Sequence, residues 1–303
     1  MLAGAPFLSL NNNTNLNNNM TTTQELMDLA IQRENPPRLN FRDHSGFSNL
    51  GSPCLRQIWN DNHWVSEKQF AAKILRKFDR GHADEERVKR YLRSAGFTVC
   101  DVEELTGKQF SFKVEGCGFL AGSVDGVVKG LPELDEDQWA LWECKSMGNA
   151  TFNTLQKQGL EQANVKYWVQ CHLYMFHAEL EVCCFMALNC DSQEIYTEFF
   201  EVDRDLAKLE ISKGKRLLEL WHEEVPKIAE NEGYFVCRNL CSHRDVCHRD
   251  APPARNCRTC RHLTPDFKGD PTWLCSKHGV NLNREGLLAA CEDYEVMKVL
   301  ETP

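Results

Sequence analysis

Asp125, Glu143 and Lys145 are the residues of this chain whose types and spacing best suit chemistry on a phosphate. Glu143 and Lys145 stand one residue apart in the run Trp139-Ala140-Leu141-Trp142-Glu143-Cys144-Lys145-Ser146. The run reads as a strand, and residues two apart on a strand share a face, roughly 7 Å from each other. An acid and an amine then point the same way. Asp125, in GSVDGVV, falls on the strand expected just before it, and hairpin pairing would set its carboxylate beside Glu143. Two such carboxylates suit Mg²⁺ or Mn²⁺, hard cations that take oxygen ligands and keep waters. A cation there would acidify water and stabilise charge developing on phosphate, while Lys145 orients or deprotonates the nucleophile. Phosphodiester hydrolysis is the reaction this set suits. An exposed ion pair on a strand has the same spelling, but the neighbours here (Phe119, Leu120, Val124, Val127, Leu141, Trp142) are apolar. Unpaired charge in such surroundings costs on the order of several kcal/mol, so its retention suggests use.

The elements that must position these residues can be read around them. The chain has 303 residues, of which 42% are hydrophobic, enough for one sizeable core and a small addition. No stretch approaches the roughly 20 apolar residues of a membrane span, and the start MLAGAPFLSL lacks the basic and apolar regions of a secretion signal. A cytoplasmic protein without membrane contact is expected. The formal charge of −9 gives no sign of a phosphate-binding surface. Local basic runs remain (Lys73, Arg76, Lys77, Arg80; Lys208, Lys213, Lys215, Arg216), for which a solvated helix face is the simpler reading. The opening NNNTNLNNN, with nothing to bury, predicts disorder over residues 1 to about 20. A short helix over Thr22 to Arg33 is expected next, ended by Pro36-Pro37.

From Ser66 the pattern is helical, with a break expected at Gly81 and a stop at Gly96. The runs FTVCDV, QFSFKVE, GFLAGSVDGVVK and WALWECKS predict a meander of strands. A helix from Glu161 to His177, the strands EVCCFMALNC and EIYTEFFEV, and a helix from Asp203 to about Asn231 complete the reading. The fold class is α/β: a mixed central sheet flanked by helices. The expected divisions are an N-terminal segment 1–45, a core domain 46–250 and a Cys-rich module 251–303.

Fifteen cysteines in a reducing compartment argue for metal ligation rather than disulfides. Cys100, Cys117, Cys144, Cys171, Cys183, Cys184 and Cys190 lie in strand or helix patterns and read as small buried hydrophobes. Cys257-x2-Cys260 with Cys275 and Cys291 reads as a structural zinc knuckle, His262 and His278 being able to replace a distal cysteine. Four thiolates leave no open position for water, so this Zn²⁺ would not be catalytic. Arg255, Arg258, Arg261 and Lys277 then offer a basic surface for contact with DNA or protein.

GSVDGVV and WECKS, with RGHADEE before them and QCHLY after them, resemble the ordered motifs of RecB-type PD-(D/E)xK nucleases, a group that includes phage exonucleases and CRISPR-associated adaptation nucleases. The resemblance spans roughly residues 46 to 250. It implies a restriction-endonuclease-like sheet and two-metal hydrolysis of DNA. The family's proline before the acidic residue is absent, Ser123-Val124-Asp125 standing there. By the same resemblance Glu85 is the acidic residue of the first helical motif and His82 the histidine that some members use as a metal ligand. Taking Val88, Tyr91, Leu92 and Ala95 as that helix's buried stripe puts Glu85 at its margin and Asp84 within it, so Asp84 competes for the role. Gln170 and Tyr174, four apart on one helical face, match the family's Gln-x-x-x-Tyr motif, which implies contact with DNA or support of Lys145; an aromatic stripe so spaced is also what a core helix shows. Cys54, Cys237, Cys241 and Cys247 resemble the one-plus-three cysteines by which nucleases of this type hold a [4Fe-4S] cluster, with zinc or unligated thiols as alternatives.

The leading expectation is a DNA exonuclease or end-processing nuclease of phage or bacterial recombination, repair or DNA degradation, with a recombination or replication protein as a further partner. An endonuclease with the same centre is its nearest rival. A DNA-binding adaptor with structural metals and an inactive nuclease fold is the rival from another class, and the complete Asp, Glu and Lys set argues against it.

Overall fold

The computed structural model describes residues 22–301; the Asn-rich opening lies outside the described residues. Helix α1 (Thr23–Glu34) begins with a capping box in which the Thr22 hydroxyl and the Glu25 carboxylate satisfy each other's backbone N–H. The chain then lays down β1 (Ser45–Gly46), α2 (Phe47–Leu50) and α3 (Leu55–Asn62) before α4 (Ala72–Ser94). Helix α4 runs unbroken through Gly81, where a break was expected. Gly81 keeps helical geometry because nothing forces the chain apart there, at a cost of about 0.5–1 kcal/mol relative to alanine.

Seven strands and three long helices follow. They are β2 (Thr98–Cys100), β3 (Ser111–Val114), β4 (Cys117–Ser123), β5 (Gly126–Lys129), β6 (Trp139–Met147), α5 (Asn149–Ala163), α6 (Val165–Ala178), β7 (Val182–Asn189), β8 (Ile195–Glu201) and α7 (Arg204–Glu219). The central sheet has the order β2-β5-β6-β7-β8, all antiparallel except β6 with β7. That parallel pair needs a long crossover, which α5 and α6 supply. Every residue of β7 is buried, as its unbroken apolar run requires of a strand covered on both faces. The mixed α/β class with a helix-flanked sheet is what the sequence predicted.

The meander is not. Strands β3 and β4 join β1 in a separate three-stranded sheet of order β1-β4-β3, so GFLAGSVDGVVK is two strands in two sheets. The chain crosses between them at Val124 and Asp125. A Cβ on Gly126 would stand 2.9 Å from the Cys100 carbonyl oxygen, which explains the glycine at this close approach to β2. The helix expected over Glu161 to His177 is also divided: α5 bends at Gly159 (φ 73°) and ends at Asn164, whose side chain caps α6 by accepting from the Tyr167 N–H. Helix α7 stops at Glu219 rather than near Asn231, and the chain turns there to bury Trp221 and Val225.

Beyond it lie α8 (Phe235–Asn239), α9 (Arg244–His248), the small antiparallel sheet β11-β10-β9 built from β9 (Leu263–Asp266), β10 (Thr272–Cys275) and β11 (Val280–Asn281), and α10 (Arg284–Ala289). Leu263, Trp273, Leu287, Met297 and Leu300 belong to the same hydrophobic cluster as Phe47, Trp64 and Phe119, so residues 251–301 share a core with the strands before them.

Candidate active site and thiol clusters

Strand β6 carries Glu143 into the interior and Lys145 to its edge. Glu143 is fully buried; the Lys145 ammonium bonds its Oε1 and lies 3.6 Å from Asp125 Oδ2. Asp125 sits at the junction of β4 and β5 rather than within a strand, and its Oδ2 accepts the Cys144 backbone N–H at 3.0 Å. That bond ties the acid to β6 in place of hairpin register. Gln170 donates from Nε2 to Glu143 Oε1 (2.9 Å) and to the Tyr174 hydroxyl (3.3 Å), placing both α6 residues against the centre. The Tyr167 ring lies 5.5 Å from the Lys145 ammonium.

Burial beside the Asp125 carboxylate pushes Glu143 up to about 8, even with the Lys145 ammonium opposing it. Lys145 is held well above its ordinary value by the two carboxylates, which outweigh burial. Its proton therefore stays on Nζ, and Lys145 acts as a cation and hydrogen-bond donor. Glu143 Oε2 is buried without a hydrogen-bond partner among the described residues.

On α4, Glu85 is close enough to add to the upward shift of Glu143 while pairing with Lys89 at 2.8 Å. Asp84, next to it in the chain, is buried towards the sheet: it accepts from Ser146 Oγ at 2.9 Å and pairs with Arg87 and Arg80. The Asp84–Ser146 bond was not foreseen; the adjacency of Ser146 to the Glu-x-Lys pair was its one sequence signal. His82 is exposed, and no contact among the described residues joins it to the centre. Tyr91, counted in the buried stripe, is instead exposed beside Arg90.

Cys54 precedes α3, and its thiol lies close enough to Cys237, Cys241 and Cys247 to raise all three, after burial. Asn60 Nδ2 donates to Cys247 Sγ (3.3 Å) and the His243 backbone N–H to Cys241 Sγ (3.4 Å), so polar N–H groups already face two of these sulfurs. The second quartet, Cys257, Cys260, Cys275 and Cys291, lines one small cavity with His262 and His278. His262 is turned away to Glu295 (3.0 Å), whereas His278 Nε2 lies 3.6 Å from Cys291 Sγ and 3.3 Å from Asp293. The remaining cysteines are buried as expected, except that Cys100 and Cys190 are only partly so.

Arg258 corrects the sequence reading outright. Expected on a basic contact surface, it is 1% exposed, with its guanidinium 3.7 Å from the centre of the Trp64 ring and 4.2 Å from that of Trp273.

No protein-family profile and no curated protein matches the chain. Among solved structures it is similar to an alkaline exonuclease from Laribacter hongkongensis, at 16% identity and a TM-score of 0.44, over 60% of this chain and 89% of that one. It is similar to SSO0001 at 12% identity and a TM-score of 0.41, over 74% of this chain and 98% of that one. A phage-related exonuclease from Haemophilus somnus 129PT follows at 13% and 0.37, over 54% and 78%. At these identities and TM-scores the likeness assigns no activity to this chain.

Proposed function

We propose that this chain is a Mg²⁺- or Mn²⁺-dependent deoxyribonuclease that degrades DNA from its ends. The observation that carries the reading is the Asp125–Lys145–Glu143 arrangement at the edge of β6, with Gln170 locking Glu143 in place. Asp125 and Glu143 would hold the cation, with Glu85 as a further candidate. Their fit to a hard cation rests on all-oxygen donors and on the buried Glu143 Oε2 that lacks any hydrogen-bond donor among the described residues. When bound, the cation supplies Lewis-acid stabilisation of the phosphate and acidifies water.

The chain's own groups do the rest. Lys145 keeps its proton on Nζ and presents positive charge where the scissile phosphate must approach the two acids. Gln170, itself bonded to the Tyr174 hydroxyl, fixes the Glu143 carboxylate, and the Cys144 N–H fixes that of Asp125. The burial of Leu141, Trp142 and Phe185 keeps water from the back of the centre.

End-labelled linear DNA and a closed circle, incubated with Mg²⁺ or Mn²⁺, test the reading. Loss of the linear form alone, abolished by Lys145→Ala, is expected. Cutting of the circle would make the protein an endonuclease; no cleavage of either substrate by fully metallated protein would sink the catalytic reading in favour of an adaptor.

We further propose that Cys54, Cys237, Cys241 and Cys247 hold a [4Fe-4S] cluster, a reading supported by the proximity of the four thiols and by the two N–H···S contacts. Protein purified without oxygen should contain iron and absorb broadly in the visible range. Zinc in place of iron would exchange one structural metal for the other and leave the catalytic reading intact.

A further inference from the structure

Arg258 lies between Cys257 and Cys260, in the thiol quartet's Cys-x2-Cys turn, yet its side chain serves the other end of the protein. The guanidinium donates to the backbone carbonyls of Arg42 (3.2 Å), Asn62 (3.1 Å) and Asp43 (3.0 Å). It is sandwiched by Trp64 and Trp273 and lies 5.2 Å from the Phe119 ring. No carboxylate pairs with it among the described residues, and its Nε has no partner. Aromatic faces and carbonyl dipoles compensate a buried cation only while it is held in register.

What holds the register is the turn. Asn256 accepts the Arg258 N–H at 2.8 Å and donates to the Trp64 carbonyl at 3.1 Å, and the Ala254 N–H donates to the Val65 carbonyl at 2.7 Å. The cysteines on either side of Arg258 face a cavity shared with Cys275 on β10 and with Cys291 beyond α10. The Cys257 thiol donates to the Gly286 carbonyl at 3.4 Å, which ties the turn to α10. Thiolates in fours around a Cys-x2-Cys turn are the donor set of tetrahedral Zn²⁺, and His278 is placed to hydrogen-bond Cys291 as an outer partner. The strands here are only two to four residues long, too short to fix such a turn by pairing alone.

We propose that Cys257, Cys260, Cys275 and Cys291 bind Zn²⁺, and that this ion locks Arg258 into the aromatic cage and so fixes residues 41–65. The site is a mechanical one. Phe47, inside the fixed segment, is fully buried and packs on Tyr174 at 5.8 Å and on His177 at 4.9 Å. Tyr174 in turn is bonded by the Gln170 that holds Glu143. The ion therefore stands at one end of a continuous run of contacts whose other end is the catalytic centre. The assignment concerns the fold and stands whether or not the chain cleaves DNA.

Hydrogen exchange of the intact 303-residue chain, with and without zinc, tests it directly. Zinc-loaded protein is expected to carry about one equivalent of zinc at this site, lost in Cys275→Ser, with iron content unchanged. Stripping the zinc should speed exchange of amides in 41–65 by about tenfold or more while β6 and β7 stay protected. Arg258→Lys should keep its zinc yet show the same local loosening, because a lysine cannot span three carbonyls. If Cys275→Ser does not fold, the stripped native chain still carries the test. Failure to bind zinc, unchanged protection of 41–65 after stripping, or simultaneous loss of protection throughout the chain would each overturn the proposal.

Discussion

Glu143 owes its properties to what its two oxygens meet. One receives Lys145 and Gln170; the other, buried, meets no donor among the described residues. Its pKa, raised from 4.5 to about 8, means that the folded, metal-free protein holds a proton there that the unfolded chain has released. The stabilising contribution is complete below 4.5 and is lost as pH rises through about 8. Chemical denaturation of metal-free protein should therefore show stability falling across that window. Saturating Mg²⁺, or Glu143→Gln, should flatten the slope; an unchanged slope in Glu143→Gln would mean another group is responsible. The juxtaposition of Glu143 and Lys145 was legible from their two-residue spacing in an apolar run, and that of Gln170 and Tyr174 from a four-residue spacing that resembles a nuclease motif; Asp125 was expected on a paired strand and stands instead at the junction of β4 and β5. Arg258 was illegible for the opposite reason: an arginine among cysteines and other basic residues carries no mark of burial, since its partners are backbone carbonyls and rings distant in the chain.

Strands were read well where burial on both faces writes itself as a continuous apolar run, as in β6 and β7. Breaks were read poorly. Gly81 looked like a break between two helices but sits in open space on α4, where nothing lies within 4 Å of the position a Cβ would take. Gly81→Ala is accordingly expected to stabilise the protein by about 0.5–1 kcal/mol, measurable as a shift of the urea midpoint, because the helical backbone there accepts a Cβ without contact. Conversely, Asn164 divides α5 from α6 with no proline to announce it. Asn164 ends one helix and caps the next, while the bend at Gly159 meets Glu198 of β8, whose carboxylate accepts the Leu160 N–H. The switch of sheets at Asp125 is hidden in the same way, since either sheet satisfies the alternation of GFLAGSVDGVVK.

At the scale of the whole molecule, residues 251–301 cover the rings of Trp64 and Phe119 and contribute Trp273 to the same aromatic group. A chain cut after residue 250 would expose those rings and leave the carbonyls of Arg42, Asp43 and Asn62 without the donors that Arg258 supplies. Expression of residues 1–250 is therefore expected to give aggregated or protease-sensitive protein; a soluble, protease-resistant fragment with a cooperative melt would show that the core stands alone. Trp64 and Arg258 also emerge at different times during synthesis. A ribosome adding roughly 5–20 residues per second needs about ten to forty seconds to travel from Trp64 to Arg258. Throughout that interval Trp64 lacks both the guanidinium that stacks on it and the Trp273 ring beyond, so this part of the nascent chain is open to chaperones.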